Sequence, residues 1–245
     1  MLRVAIAVLL AVVVCSQAAA ATPGLVYSGT RAKPRVALTF DADMTPAMRQ
    51  AVLEGRRVHY DARIIEKLRA TNTHATLFLT GLWARTYPGH SRSFAADPLF
   101  ELANHSQTHR GFRAPCYGLA TAETNEERIW EVRRARRTIR EITGVRVKYF
   151  RFPGGCHALA DVSLVRQLDH IPVQWDVNSG DAFENDPAVI VQRVLNRVQN
   201  GSIVVMHMIG APNAPATYDA IRILIPELRR RGYQLVTLSE LLSGS

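Results

Sequence analysis

Pro34-Arg-Val-Ala-Leu-Thr-Phe-Asp41 is a short, mostly apolar run that ends in a carboxylate. Its length and β-branched content suit a buried strand. His74-Ala-Thr-Leu-Phe-Leu-Thr80, Val145–Phe150, Ile171–Trp175, Ser202–Met206 and Tyr233–Val236 read the same way. Helical patterns lie between them. Tyr60–Ala70 places Ile64, Ile65 and Leu68 on one face, and Thr124–Ile142 places Ile129, Val132, Ile139 and Ile142 at helical spacing. Leu159–Leu168, Pro187–Val198 and Thr217–Arg230 are further helical stretches. Thr124 ahead of Glu126 and Glu127 suits a helix start, and Gly144 suits its C-cap. Strands alternating with helices predict an α/β fold with a parallel sheet, open or closed into a barrel. Met44–Arg57 shows no clear period and reads as a loop or short helix over one face. No repeat, low-complexity tract or Pro/Gly-rich linker follows residue 34. One domain over residues 34–245, after a short lead at 22–33, is the economical reading.

The chain has 245 residues, 47% of them hydrophobic, with 30 Lys+Arg against 21 Asp+Glu and a formal net charge of +9. This balance excludes a disordered, collagen-like or multi-span membrane chain. Three Cys are too few for a disulfide scaffold. Of the basic residues 27 are Arg, scattered along the whole chain. A nucleic-acid surface needs them clustered beside aromatics, and they are not. Arg133-Arg134-Ala135-Arg136-Arg137 reads as a solvated helix face. The positive charge suits an anionic polymer without selecting one.

Arg3, an apolar run from Val4 to Val14 and the Ala-rich stretch Ala18–Ala21 have the layout of a secretory signal over residues 1–21. The run falls short of the ~20 apolar residues that span a bilayer. It would meet the membrane only during export, or as an uncleaved anchor. Export implies an extracytoplasmic protein, in the cell wall or outside the cell, and disfavours a nucleic-acid partner. It leaves Cys116 and Cys156, which read as one disulfide or as two free thiols.

In parallel β/α folds, chemistry gathers at the C-terminal ends of strands. Asp41-Ala42-Asp43, Arg151-Phe152-Pro153-Gly154-Gly155, Asp181 and His207 all fall after such runs, and His105-Ser106-Gln107-Thr108-His109 lies between two of them. On a helix or helical turn, His105 and His109 project from one face, about 5–6 Å apart at Cβ. That suits two imidazoles on one metal, with Asp41 or Asp43 as an oxygen ligand. Two surface histidines are the alternative. Two His and one carboxylate leave coordination positions open, as a catalytic site requires. Ligand type favours zinc and permits cobalt or nickel. Residues two apart on an extended chain point the same way. One of Asp41 and Asp43 can then hold the metal while the other takes a proton from water, or both can serve a turn. His207 is either an acid in the same site or a satisfied core histidine. His59, His74, His90, His157 and His170 read as structural.

Thr39-Phe40-Asp41-x-Asp43, His105-Ser-x-Thr-His109, Arg151-Phe-Pro-Gly-Gly155, Trp175-Asp-Val-x-Ser-x-Asp181 and Val205-Met-His207 occur in that order. The chain thereby resembles the polysaccharide deacetylase family (NodB homology, carbohydrate esterase family four) from about Arg35 to Leu242. The resemblance implies a distorted (β/α) barrel of about seven strands with a metal in an open groove. It implies Asp41 as general base and Asp43, His105 and His109 as metal ligands. Arg151 would orient Asp41, and Asp181 would polarise His207, the general acid. The Gly154 N–H would help hold the oxyanion. The implied activity is removal of N-acetyl groups from an N-acetylglucosamine-type polymer, peptidoglycan or chitin-like, using a divalent metal. The implied partner is this acetylated glycan. An O-acetyl esterase on xylan or a similar glycan would need the same site. A non-catalytic glycan-binding protein on the same fold would have no reason to keep an acid, a base and their orienting partners. The two loops bearing Cys116 and Cys156 would meet at the rim of such a site, which favours the disulfide.

The chain departs from the family pattern at three places. Ala42 separates two Asp that the common motif places side by side. Ala182 stands where a Trp often follows the fourth motif's Asp, and Val205 where a Leu often opens the fifth. Both latter positions line the acetyl-methyl pocket in relatives, so a roomier pocket is expected here. Comparable rates on acetyl and propionyl forms of one substrate are the expected outcome, and strict acetyl preference would count against it.

Overall fold

The computed structural model describes residues 24–243. The export signal expected over residues 1–21 lies outside them. Eight strands follow in chain order: β1 (Arg35–Ala42), β2 (Ala75–Leu79), β3 (Phe100–Asn104), β4 (Tyr149–Phe150), β5 (Ile171–Pro172), β6 (Val177–Asn178), β7 (Ser202–His207) and β8 (Gln234–Leu235). The described helices are α1 (Pro46–Leu53), α2 (Ala62–Ala70), α3 (Gly81–Thr86), α4 (Pro88–Ala95), α5 (Asn125–Thr143), α6 (Leu159–Gln167), α7 (Pro187–Leu195), α8 (Thr217–Arg230) and α9 (Leu238–Leu242). None of them is long and apolar enough to cross a membrane.

Every strand pairing is parallel. Seven strands run in the order β5-β4-β3-β2-β1-β7-β6, and the short β8 joins the start of β1. The sheet curls into a half-barrel with helices around it, as the family resemblance implied. Seven of the eight β1 positions are buried, the pattern of a strand covered on both faces in a parallel sheet. Alternation sorts them. Val36, Leu38, Phe40 and Ala42 join the large core under α2, α3 and α8, whereas Ala37 packs inside the barrel with Phe78, Ala103, Tyr149 and Ile203. Thr39 and Asp41 belong to the same inward series, so β1 carries its carboxylate to the barrel mouth on an apolar stem.

Of the lead expected at 22–33, the described residues 24–33 extend the sheet. Val26 bridges Val173 beyond β5, and Ser28 bridges Ser202 at the start of β7. The Val26 N–H donates to Pro172 O at 3.0 Å and the Gly29 N–H to Gly201 O at 2.8 Å. This short segment therefore spans the opening between one edge of the sheet and β7.

The long helix α5 begins and ends where its residue types predict. The Thr124 hydroxyl accepts from the Glu127 N–H at 3.2 Å while the Glu127 carboxylate accepts from the Thr124 N–H at 3.3 Å, a reciprocal cap. Gly144 adopts φ +76° at the C-cap, the left-handed position glycine fills at least cost. The segment over one face is α1. Strands β3 and β6 and helices α3, α4 and α9 were not read from the sequence. In β3 the apolar run is broken by Glu101, whose carboxylate accepts from the Thr76 hydroxyl at 3.2 Å and the Ser239 N–H at 3.0 Å. The others are too short for a periodic pattern to register.

Cys116 and Cys156 form a disulfide with Cα atoms 5.9 Å apart, within the usual span. It ties the loop after His109 to the turn Pro153–Gly155 that follows β4. A bridge closing a loop of this size contributes about 4 kcal/mol in the chain-entropy account. Urea unfolding of the Cys116→Ala/Cys156→Ala protein should show a loss of about 2–4 kcal/mol; an unchanged midpoint would refute this assignment of stability.

Candidate active site

Five strand ends deliver the polar groups. Asp41 is the penultimate residue of β1, and Asp43 follows it by two. His105 follows β3, Arg151 follows β4, Asp181 lies just beyond β6, and His207 ends β7. Parallel register sets Asp41 directly beside Phe78 on β2 and His207 on β7.

Asp43, His105 and His109 offer ligand atoms that all lie within 4.8 Å of one another. Asp43 Oδ1 is 3.2 Å from the Nε2 of each imidazole. That oxygen is buried, and no donor is aligned on it to form a hydrogen bond. A buried, unpartnered carboxylate oxygen facing two imidazole nitrogens fits a divalent cation by donor type and by its open sides. The His105 Nδ1–H donates to the Arg151 carbonyl at 3.0 Å, which leaves the Nε2 lone pair directed at the trio. Burial pushes the Asp43 carboxyl up, but His109 and His105 outweigh it and hold the group well below the usual carboxylate range.

The two histidines do not reach this geometry on a helix, contrary to the sequence expectation. They sit on an irregular loop, with Ser106 at φ +68° and His109 at φ +60°. Its backbone donors are taken by side chains, so helical bonding is lost. The Ser106 N–H donates to Asn104 Oδ1 at 3.0 Å and the His109 N–H to Ser106 Oγ at 3.1 Å. The Gln107 and Thr108 N–H groups donate to Glu131 Oε2 at 2.8 and 2.7 Å. The Thr108 hydroxyl donates to the other oxygen of Glu131. Glu131, on α5, is 1% exposed. Leaving even one such buried N–H unpaired costs about 1–3 kcal/mol. Sequence reasoning missed this residue. Its signal was an acid in the apolar stripe of α5, next to Val132 and in line with Ala135 and Ile139.

Asp41 stands outside the trio. Its Oδ1 accepts from Arg151 Nη1 at 2.7 Å. The guanidinium is fully buried, donates also to the Thr39 hydroxyl at 2.8 Å and lies 3.9 Å over the Phe78 ring. Asp41 Oδ2 remains 3.7 Å from His105 Nε2.

On the other side, His207 Nδ1 lies 2.8 Å from Asp181 Oδ1, and the His207 N–H donates to Asp181 Oδ2 at 2.7 Å. The Ser179 and Thr217 hydroxyls, also unforeseen, donate to the same carboxylate at 2.9 and 2.7 Å. Burial pushes the His207 imidazolium down, but Asp181 outweighs it, with Asp43 and Asp41 adding, and the group is raised to about 10.

Asp41, Asp43, His105, His109 and His207 line a cleft whose walls include Gly154, Trp175, Ala182 and Val205, with Met48 of α1 at one side. Gly154 adopts φ +60°, and a Cβ there would come within 2.8 Å of Cys116 Sγ. Only glycine fits between the disulfide and the cleft. Of the remaining histidines, His74 pairs with Glu240 at 2.9 Å, and His157 stacks on Phe152 with ring centroids 4.7 Å apart.

Residues 28–172 match the profile of the polysaccharide deacetylase family. The uncharacterised protein YlxY of Bacillus subtilis is 27% identical over 220 residues, 90% of this chain and 61% of YlxY, so this chain spans less than two thirds of that relative. A peptidoglycan-N-acetylglucosamine deacetylase of Bacillus cereus is 25% identical over 219 residues, 89% of this chain and 72% of that protein. Among solved structures, a family 4 carbohydrate esterase pseudoenzyme of Bacillus anthracis, in a mutant form with restored activity, matches with TM-score 0.73 at 25% identity, over 90% of this chain and 72% of that one. A family 4 acetyl xylan esterase of Clostridium thermocellum, in complex with a cobalt ion, matches with TM-score 0.65 at 25% identity, over 84% and 89%.

The His207–Asp181 pair makes stability depend on pH. The folded value of His207 lies above its ordinary 6.5, so the pair's contribution is complete below that pH and is lost as pH rises through about 10. In the metal-free protein, Asp181→Asn should move the His207 titration to lower pH, read from the imidazole NMR signals. An unmoved titration would show that Asp181 does not hold the proton.

Proposed function

The chain belongs to the polysaccharide deacetylase family, and from that premise we propose that it is an exported, metal-dependent hydrolase removing N-acetyl groups from an N-acetylglucosamine-type polysaccharide, peptidoglycan or chitin-like. One observation carries the reading. A carboxylate and an imidazole, each held by its own buried partner, flank the Asp43, His105 and His109 trio from two sides. A binding protein has no use for that pairing.

A divalent ion held by Asp43, His105 and His109, zinc by ligand type with cobalt or nickel also suited, would polarise the acetyl carbonyl and the attacking water. Asp41 is the base. Arg151 occupies its Oδ1, which leaves Oδ2 to accept the water's proton. His207 is the acid. Asp181 fixes its Nδ1–H, so the Nε2–H faces the cleft and passes to the departing amine. The Gly154 N–H serves the carbonyl oxygen as it gains charge. Val205 and Ala182 form the wall for the acetyl methyl. The peptidoglycan deacetylase among the relatives supports a cell-wall glycan as substrate. Export rests on the signal pattern of residues 1–21. The second reading, an O-acetyl esterase on xylan, is favoured by the likeness to the acetyl xylan esterase and uses the same residues.

Zinc-loaded protein should release acetate from N-acetylglucosamine oligomers and peptidoglycan fragments. His105→Ala should lose both the metal and the activity. Asp41→Asn should keep the metal and lose turnover by about 10²–10⁴-fold. Metal loss in Asp41→Asn would exchange the roles of Asp41 and Asp43. Acetate from acetylated xylan alone would select the esterase, and none from any glycan would refute hydrolysis.

A further inference from the structure

Tyr117 and Phe183 are 72% and 75% exposed, yet both border the cleft and their rings meet, with centroids 5.5 Å apart and planes tilted by 38°. They come from different loops. Tyr117 follows the disulfide-bonded Cys116, and Phe183 lies two residues after Asp181. No core packing explains either ring. Tyr117 adopts φ +48°, a left-handed conformation that glycine or asparagine takes more readily. The Leu119 N–H donates to Cys116 O at 2.7 Å and closes the turn around it. The ring lies against Gly154, where an added Cβ would come within 3.2 Å of Tyr117 Cδ2. An aromatic side chain is thus held in an unfavourable backbone position, mostly in solvent, over the rim of the cleft. Such an outlier points to a role outside folding.

The depth of the groups says what should lie there. Asp41, His105 and His109 are 3%, 1% and 6% exposed, so the acetamido group must enter to reach them, while the two rings stand in solvent above. The sugar that carries the group must therefore rest at the mouth. A pyranose ring offers one face of C–H groups and a periphery of hydroxyls. Two contiguous aromatic faces open to solvent match that face and leave the hydroxyls hydrated.

We propose that Tyr117 and Phe183 form a single aromatic platform at the cleft mouth that stacks on the pyranose ring bearing the acetyl group and sets affinity for N-acetylated sugar polymer. This rests on the reading of the site as acting on an acetylated glycan. The rings touch no reacting atom. They hold the sugar while the acetamido group enters the cleft.

The test is calorimetric titration of the zinc-loaded full chain with N-acetylglucosamine tetrasaccharide. Tyr117→Ala and Phe183→Ala should each weaken binding about fivefold or more, with zinc affinity unchanged. Tyr117→Phe and Phe183→Tyr should restore it, because they keep the ring. Equal affinity in wild type and both alanine variants would overturn the platform. So would loss of sugar and zinc affinity together, which marks a loop-scaffolding role, or no binding by the wild type. Tetrasaccharide binding that depends on the two rings, without acetate release from any acetylated glycan, would keep the platform and remove the hydrolase reading instead.

Discussion

Arg151 joins the two halves of the site. Its fully buried guanidinium would cost several kcal/mol to desolvate unpaired, of order that for any isolated buried ion. Asp41, the Thr39 hydroxyl and the Phe78 ring offset that cost inside the barrel. The same residue's carbonyl accepts from His105, and its N–H donates to Asn104 O at 2.9 Å, which pairs β4 with β3. One residue therefore fixes the carboxylate on β1, the orientation of an imidazole after β3, and the alignment of the strands between them. The apolar stem of β1 exists to carry Asp41 to this charge.

Around that centre, two buried carboxylates hold much of the rest. Glu131 gathers the His105–His109 loop by its backbone. Asp181 is itself held by Ser179, Thr217 and the His207 N–H. Buried carboxylates bonded this many times are rigidly placed, and rigid placement is what acid–base chemistry at a fixed carbonyl demands. Asp43 Oδ1 is left without a hydrogen-bond donor at the point where the two imidazoles converge, as are Arg151 Nε and His109 Nδ1 elsewhere in the site. Of these only the Asp43 oxygen is an acceptor that faces two imidazole nitrogens, which makes it the local sign of a cation position.

The outer layer has a different physical character. The disulfide joins two loops at the rim, Gly154 lets the chain pass beneath it, and Tyr117 and Phe183 lie open above. The inner carboxylates and imidazoles are largely withdrawn from water, whereas the rim is apolar and wet. Ala182 leaves its stretch of the cleft wall small, and Phe183 beside it sets a ring at the mouth.

The sequence by itself determined the alternation of strands and helices, the start and end of α5, and which acids and histidines stand at strand ends. Period-two and period-3.6 patterns, caps and turn residues are local, so they are visible in the chain. It determined that Cys116 and Cys156 were available to each other but not that they pair. Tertiary structure alone decided that Val26 and Ser28 of the lead extend the sheet and that His105 and His109 meet through a left-handed loop rather than a helix. It alone showed that Glu131 holds that loop from 22 residues beyond His109, and that Tyr117 and Phe183 touch. Each of these depends on groups distant in sequence brought within hydrogen-bonding or van der Waals reach. No local pattern encodes such proximity, because it arises only when the sheet curls and its loops converge over one end.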